Sequence, residues 1–324
     1  MGTGYGLAKI INQVLQRQKL QIIKFLRMGP RFLIALCLKN KKRVYIKINL
    51  YSRHKNHDCR VCNEHLAREI TFLQLVNRQN KFKHLKQGVP LIYAADIKSD
   101  RTWFVKEYTE GTFQNINDSN FLFKNSFFNQ TNLNWVVKFF DELHAFSLDL
   151  PAKTKKTFHY HDMADYLRLI NKKEIATILK SQAKVDKIYQ FLNKRENLFN
   201  KNQLVLTHFE PYAAHFIKNQ ASFKVIDWEN IGWSNVAHDL GVIWLRAYEH
   251  PIWQKKLVEK VYQTSPLAKN WPELFKVELL IQIMANLPYL LGTTDPDEKK
   301  VSQKIISFMS KQIDLILNNK FKAT

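Results

Sequence analysis

The sequence predicts an α+β protein of two lobes, a small antiparallel sheet with one packed helix followed by a mostly helical remainder. Three observations carry that prediction. Short β-rich runs crowd the first 110 residues, helical apolar periods dominate from Asn132 onward, and a single strand-and-loop interlude at 203–228 interrupts the helices. The expected boundary puts one lobe at 1–110 and the other at 111–324. With 324 residues, 45% of them hydrophobic, the chain can bury one large core or two moderate ones.

Residues 7–18 place Leu7, Ile10, Ile11, Val14 and Leu15 on one face of an amphipathic helix. Three β-rich runs follow at 20–26, 32–38 and 43–50, separated by the turn segments RMGPR and KNKK, which together read as an antiparallel meander. In DCRVCNEHLAREITFLQLV, Leu66, Ile70, Leu73 and Val76 recur at helical spacing with Glu69 at the edge of the apolar stripe. That spacing predicts a helix of roughly four turns. Residues 89–97 and 102–108 read as two more strands, the second leaving through TEGT, so a hinge is expected near 107–112. Beyond it, Val136, Val137, Phe140 and Leu143, then Val185, Ile188, Tyr189 and Leu192, keep a helical period, as does the stretch from Pro251.

Composition narrows the function. No apolar run approaches the ~18 residues of a membrane-spanning helix; the longest candidate, 32–38, is bounded by Arg31 and Lys39. The N-terminus MGTGYGLAKIINQVLQ has Gly and polar residues where a secretory signal needs an unbroken apolar stretch. A cytoplasmic protein without a transmembrane segment is therefore expected. Three cysteines, Cys37, Cys59 and Cys62, argue against a disulfide framework. Lys and Arg number 50 against 28 Asp and Glu, a formal net charge of +22 that would attract nucleic acid, anionic lipid or a phosphorylated substrate. The lysines are spread along the chain, and no zinc finger, RNP aromatic motif or arginine-rich arm accompanies them, so a nucleic-acid partner is not expected.

The interlude carries the candidate chemistry. The segment LVLTHFEPYAAHFIKNQASFKVIDWENIGWSNVAHDLGVIW resembles the catalytic core of the aminoglycoside phosphotransferases, choline kinases and their relatives, a family with a two-lobed protein kinase-like fold. In outline that core reads His-Gly-Asp, four residues, Asn, a hairpin, Ile-Asp-Trp or Ile-Asp-Phe, and a downstream Asp-Leu. The matching residues here are His208, Phe209, Glu210, His215, Asp227 with Trp228, and Asp239 with Leu240. The resemblance extends backward. VYIKI supplies Lys47, REITFL supplies Glu69, WFVKEYTEG looks like the hinge with Glu107 and Tyr108, and DELHAF matches the helix before the catalytic region. It covers about residues 20–245, followed by a helical tail common in the family.

The resemblance implies an ATP-dependent phosphotransferase acting on a small-molecule hydroxyl, with Mg2+ or Mn2+ as cofactor. Phosphoryl transfer is mostly positioning and charge neutralisation, so it needs a cation on the phosphates, carboxylates for the metal and a base for the acceptor. Lys47 and Glu69 would serve the phosphates, Glu107 and Tyr108 the adenine, Asp227 and His215 the metal, and Glu210 with His208 the transfer. Asp239 would brace the catalytic loop; by position alone it is an ordinary carboxylate at a helix start. Alone, Lys47 would read as a solvated lysine on an edge strand; set between Ile46 and Ile48, it points away from its apolar neighbours.

Three positions depart from the family pattern. Glu210 stands where Asp is expected, its extra methylene displacing the carboxylate by over an ångström. His215 stands for Asn and favours Mn2+ or Zn2+ over Mg2+. Phe209 stands for Gly. Gly29, followed by Pro30, is the one glycine at the phosphate-covering turn, and Lys106 lies near the position facing the adenine pocket. The alternative reading is a pseudokinase, a nucleotide-binding or protein-interaction module that has kept the lobes and lost transfer. ATP would lie in a cleft between the lobes, and acceptor contacts would come from 155–200 and 250–300.

One other cluster stands apart. CRVC has the spacing of half a zinc site, and His54, His57 and His65 could complete it with Cys59 and Cys62; the ordinary reading is two plain thiols. Cys37 reads as a core residue and His144 as a hydrogen-bonded structural histidine.

Overall fold

The computed structural model describes residues 3–28, 31–52, 57–116, 122–220, 222–264, 270–291 and 296–322. Contacts divide the chain into two compact units, Met1–Phe113 with His215–Ile231, and Gln114–Ala214 with Gly232–Thr324. The division therefore does not fall at one point in the chain: the segment bearing His215 and Asp227 belongs with the first unit.

The chain opens with α1 (Thr3–Gln18) and the strands β1 (Gln21–Met28), β2 (Phe32–Lys39) and β3 (Lys42–Asn49). α2 (His57–Arg78), the short α3 (Lys83–Gly88), β4 (Ile92–Asp96) and β5 (Trp103–Glu107) follow. After β6 (Thr112–Phe113) come α4 (Gln130–Leu148), α5 (Ala152–Lys155), β7 (His159–Tyr160), α6 (Met163–Leu169), α7 (Lys172–Leu179), α8 (Gln182–Asn193), α9 (Glu196–Lys201) and β8 (Val205–Thr207). The hairpin β9 (Phe216–Asn219) and β10 (Ser222–Val225) leads to β11 (Gly232–Ser234), then α10 (His238–Arg246), α11 (Pro251–Thr264), α12 (Trp271–Leu291) and α13 (Pro296–Leu317).

In the first unit, five antiparallel strands run in the order β1-β2-β3-β5-β4. Asn40 and Lys41 both take positive φ, as a two-residue hairpin turn between twisted strands requires, and Asn is the residue best suited to start it. The two-residue period of the strands sorts the faces. Leu33, Ala35, Cys37, Val44, Ile46 and Ile48 pack with Val14 of α1 on one side, while Phe104 packs with Leu66 and Ile70 of α2 on the other. Lys47 pairs in register with Phe104, so it leaves the sheet on the α2 side, opposite Ile46 and Ile48. Burying each such aliphatic side chain contributes about 1.5–3 kcal/mol, which holds β3 and α2 in this register.

A second sheet in the same unit, β10-β9-β6, presents the loop that carries Asp227. The chain enters β6 through Gly111 at φ +146, and a Cβ there would sit 2.3 Å from the Lys218 carbonyl oxygen. Only glycine permits that approach.

The second unit is mostly helical around a small sheet in which β11 lies between β7 and β8, parallel to the first and antiparallel to the second. Asn129 caps α4 by accepting from the Asn132 amide, and Leu133, Val136, Val137, Phe140 and Leu143 of that helix are buried. Every residue of α10 is buried. Among the described residues α12 is the one helix long and apolar enough to cross a membrane by length and composition. This corrects the expectation that 32–38 is the longest apolar candidate. In the fold, 72% of its apolar window is buried, and Glu278 at its centre has buried polar partners, which is the behaviour of a core helix.

The structure also adds α3 just ahead of the expected extended run 89–97, within which β4 lies. Gly29 and Pro30 of the expected phosphate-covering turn lie outside the described residues.

Candidate functional site

In the first unit an ionic cluster forms around Lys47. Its Nζ donates to Glu69 Oε2 at 3.1 Å, Asp227 Oδ1 at 3.2 Å and Glu229 Oε2 at 2.9 Å. Glu69 is fully buried on α2, and its other oxygen accepts from Lys106 Nζ at 3.1 Å. His215 Nε2 lies 3.6 Å from Asp227 Oδ2. Burial alone would discharge Lys47, but the carboxylates of Glu69, Asp227 and Glu229 raise its pKa well above the usual lysine value. Burial likewise opposes ionisation of Asp227, yet Lys47 first, then His215 and Lys106, hold it well below the usual carboxylate range.

Local structure aims these groups. β3 delivers Lys47 to the α2 face, and the helical period of α2 turns Glu69 toward it. Asp227 follows β10 at φ +66, a left-handed conformation that costs a non-glycine residue about 1–2 kcal/mol. Next to it Trp228 is fully buried, donating from Nε1 to the Val225 carbonyl at 2.8 Å and packing on Phe72 with ring centroids 4.4 Å apart. That anchor holds the strained loop in place.

Donor atoms of Glu69, Asp227 and Glu229 all lie within 4.8 Å of one another. Three carboxylates against Lys47 and Lys106 leave the cluster with one excess negative charge, and carboxylate oxygens are the ligands of hard divalent cations. The donor set therefore fits Mg2+, and the His215 imidazole extends it to Mn2+.

Glu107 and Tyr108 sit at the end of β5. The Glu107 carboxylate accepts from the Leu91 amide at 3.1 Å and from Lys224 Nζ at 2.9 Å, and its own amide donates to the Leu91 carbonyl at 2.8 Å. The ring of Tyr108 meets that of Tyr45 at 5.1 Å, with the Arg43 guanidinium 5.7 Å from the Tyr108 centroid. Lys106, expected near the adenine pocket, instead turns its ammonium to Glu69.

The second unit holds His208, Phe209, Glu210 and Asp239. Asp239, at the start of α10, accepts from the His208 amide at 2.8 Å and the Phe209 amide at 3.0 Å, one on each carboxylate oxygen. Burial pushes its pKa up to about 6 despite the opposing pull of His238 and those two amides. Phe209 stands at φ +71, the second left-handed residue of the candidate site. Its ring packs against those of His161 at 4.8 Å and His238 at 4.5 Å. The Glu210 amide donates to His208 Nδ1 at 3.3 Å. Buried Arg246 lies over the Tyr212 ring at 4.6 Å, and burial lowers its pKa to about 10 against the opposing pull of Tyr212 and Glu210.

Sequence reasoning missed a buried group behind this loop. Glu278 of α12 takes His238 Nδ1 at 3.0 Å on one oxygen and the Asn235 side-chain amide on the other. Burial opposes a charge on the His238 ring, but Glu278 raises its pKa above the ordinary imidazole value. Glu229 was missed as well, although its place two residues past Asp227 in IDWEN was a usable signal. Nothing in the sequence pointed to Glu278.

The half zinc site does not resolve into a described cluster. His54 and the Cys59 side chain lie outside the described residues, Cys62 sits on the first turns of α2, and His65 Nδ1 is 3.1 Å from Asn230 Oδ1. Cys37 is fully buried, its thiol pushed up to about 11 by burial. His144 is also buried, but its Nε2 has no hydrogen-bond partner and burial drops its pKa to about 3. The expectation of a hydrogen-bonded histidine finds no partner at that nitrogen.

No family model matches the chain, and no curated protein matches it by sequence. Solved structures do match in fold. Aminoglycoside 2'-phosphotransferase-IIIa, in a GDP complex, aligns with a TM-score of 0.56 at 13% identity over 94% of this chain and 98% of that one. The amicoumacin kinase hAmiN, in complex with AMP-PNP, Ca2+ and Ami, gives 0.57 at 11% identity over 94% and 93%. A spectinomycin phosphotransferase in complex with ADP and spectinomycin gives 0.56 at 10% identity over 95% and 97%. At these identities the likeness shows the fold: the chain has the α+β kinase-like fold of small-molecule phosphotransferases.

Proposed function

We propose that the protein is an ATP-dependent phosphotransferase that moves the γ-phosphoryl group to a hydroxyl of a small molecule, with Mg2+ or Mn2+ as its metal. The observation that supports this most is the cluster in which Lys47 meets Glu69, Asp227 and Glu229 within one compact unit. A buried ammonium shared among acidic groups is prepared to exchange one of them for a phosphate, with Glu69 keeping it oriented. Asp227 and His215 are the residues to hold the metal, which when bound would neutralise phosphate charge. Glu107 and Tyr108 are assigned to the adenine.

On the second unit, Glu210 is assigned as the base, with His208 shaping its loop and Asp239 fixing the loop backbone. The Glu210 carboxylate takes the proton of the acceptor hydroxyl as the new O–P bond forms. The bond from the γ-phosphorus to the bridging oxygen breaks, and ADP leaves with that electron pair.

The second reading, a nucleotide-binding module that has lost transfer, draws support from Arg246 beside Glu210. A buried cation there competes with the acceptor hydroxyl for the carboxylate.

Thermal-shift titration with ATP, with and without Mg2+ or Mn2+, tests the first reading. Metal-dependent stabilisation that disappears in Lys47→Ala and Asp227→Ala is the expected result. ADP release with a panel of hydroxylated acceptors then separates enzyme from binding module. No shift at millimolar ATP would remove both.

A further inference from the structure

Outside the ionic cluster, the second unit brings two imidazoles and a carboxylate together at the start of α6. One ring nitrogen each of His159 and His161 and an Asp165 oxygen all lie within 4.8 Å of one another. We propose that His159, His161 and Asp165 form a transition-metal site, with Zn2+ the ion that fits it, lying against Phe209.

The placement follows from local structure. In HYHDMAD the two histidines are two residues apart, His159 in β7 and His161 in the segment that leads from it to α6. β7 is held in register against β11, with His159 opposite Gly232. Asn200 pins the connecting segment from both ends: its carbonyl accepts from the Tyr160 hydroxyl, and its side-chain oxygen accepts from the Met163 amide at 2.9 Å. Asp162 caps the next helix by accepting from the Asp165 amide at 2.8 Å, which returns Asp165 toward the histidines. The ligand-bearing segment is thus built before any ion arrives.

Chemistry selects the ion. Imidazole nitrogens are borderline ligands that suit Zn2+ over Mg2+ or Ca2+. Zinc bonds of about 2.0–2.2 Å place neighbouring donors about 3–3.5 Å apart, so closure needs side-chain adjustment and no backbone movement. The histidine rings already touch, with centroids 4.2 Å apart, in a chain of net charge +22. Arg168 competes, since its guanidinium holds Asp165 Oδ1 at 2.8 Å. Three protein ligands leave a coordination position open, and exposed His159 lets solvent reach it. Because His161 packs on Phe209, the ion would stiffen the segment on which Glu210 follows.

The test strips the full chain of metal with a chelator, then titrates Zn2+ by calorimetry and Co2+ by visible absorption. One tight site is expected, present in Asp227→Asn and in the Cys59→Ser/Cys62→Ser double variant. It should weaken at least about 100-fold in His159→Ala and in His161→Ala, since losing a direct ligand costs no less than losing a group behind one. Arg168→Ala should bind several-fold tighter because the competing cation is gone. Circular dichroism checks folding, and exposed His159→Ala carries the test if His161→Ala does not fold. Zn2+ binding unchanged by either histidine variant, binding lost only with Asp227 or the cysteines, or no binding at micromolar Zn2+ would each overturn the proposal.

Discussion

The charged cluster around Lys47 and the polar cluster behind Phe209 are built from similar groups, yet their aspartates respond to pH in opposite senses. In the first, Asp227 is held below the usual carboxylate range by Lys47 and its neighbours. Its stabilising effect is present above the ordinary Asp value near 3.8 and is lost as pH falls below it. Lys47 is raised above 10.5, so its contribution persists through neutral pH and is lost only in strong alkali. In the second cluster Asp239 and His238 are both raised. Their contributions are complete at acid pH and are lost as pH rises through their folded-state values. The difference teaches where cations are supplied. The first cluster has two lysines for three carboxylates, whereas the second is buried with one histidine between Asp239 and Glu278.

The sharpest way to break this comparison is to remove Glu278. Glu278→Ala strips His238 and Asn235 of their buried partner, and a loss of about 3–5 kcal/mol in unfolding free energy is expected by denaturant titration. A loss below about 1 kcal/mol would mean the second cluster is not a mutually dependent network.

Next comes Asp239. With a folded value of about 6 against an ordinary 3.8, the folded state binds the proton more tightly than the unfolded one. Stability should therefore fall by about 2 kcal/mol as the solution is taken from about pH 4 to about pH 6, and by about 3 kcal/mol over the whole transition, with a slope approaching about 1.4 kcal/mol for each pH step of one near pH 5. Asp239→Asn should flatten that window while leaving the acid limb set by Asp227 intact. A slope of the opposite sign would place Asp239 among ordinary paired carboxylates.

The smallest effect isolates backbone strain. Both Phe209→Ala and Phe209→Gly lose the ring contacts with His161 and His238, but only Gly relaxes φ +71. Phe209→Gly should be more stable than Phe209→Ala by about 1 kcal/mol. Equal midpoints would show the loop relaxing out of the left-handed region once the ring is gone.

Much of this was legible in the residue order. Alternation about Lys47 and the apolar stripe of α2 predicted the sheet and its packed helix, because strand and helix periods are local properties. The turn at Asn40, the break after β5 and the helical remainder were readable for the same reason. The partners of the site residues were not. Lys106 read as a misfit until Glu69 was seen between it and Lys47. Glu278 lies 40 residues from His238, and Asp227 lies 180 from Lys47, so neither pairing leaves a periodic trace. The cysteine pair drew attention by its motif, while His159 and His161 passed unnoticed because their third ligand arrives only when α6 folds back.

The sequence by itself determined which residues could be strand, helix and turn, and which charged side chains stand on faces their apolar neighbours avoid. Tertiary structure alone decided which charges meet, that Asp227 and Phe209 are held at positive φ, and that Asp239 is raised while Asp227 is lowered. Secondary structure is governed by hydrogen bonds and apolar spacing within a few residues. A carboxylate's charge state depends on burial and on cations that the chain brings to it from far away.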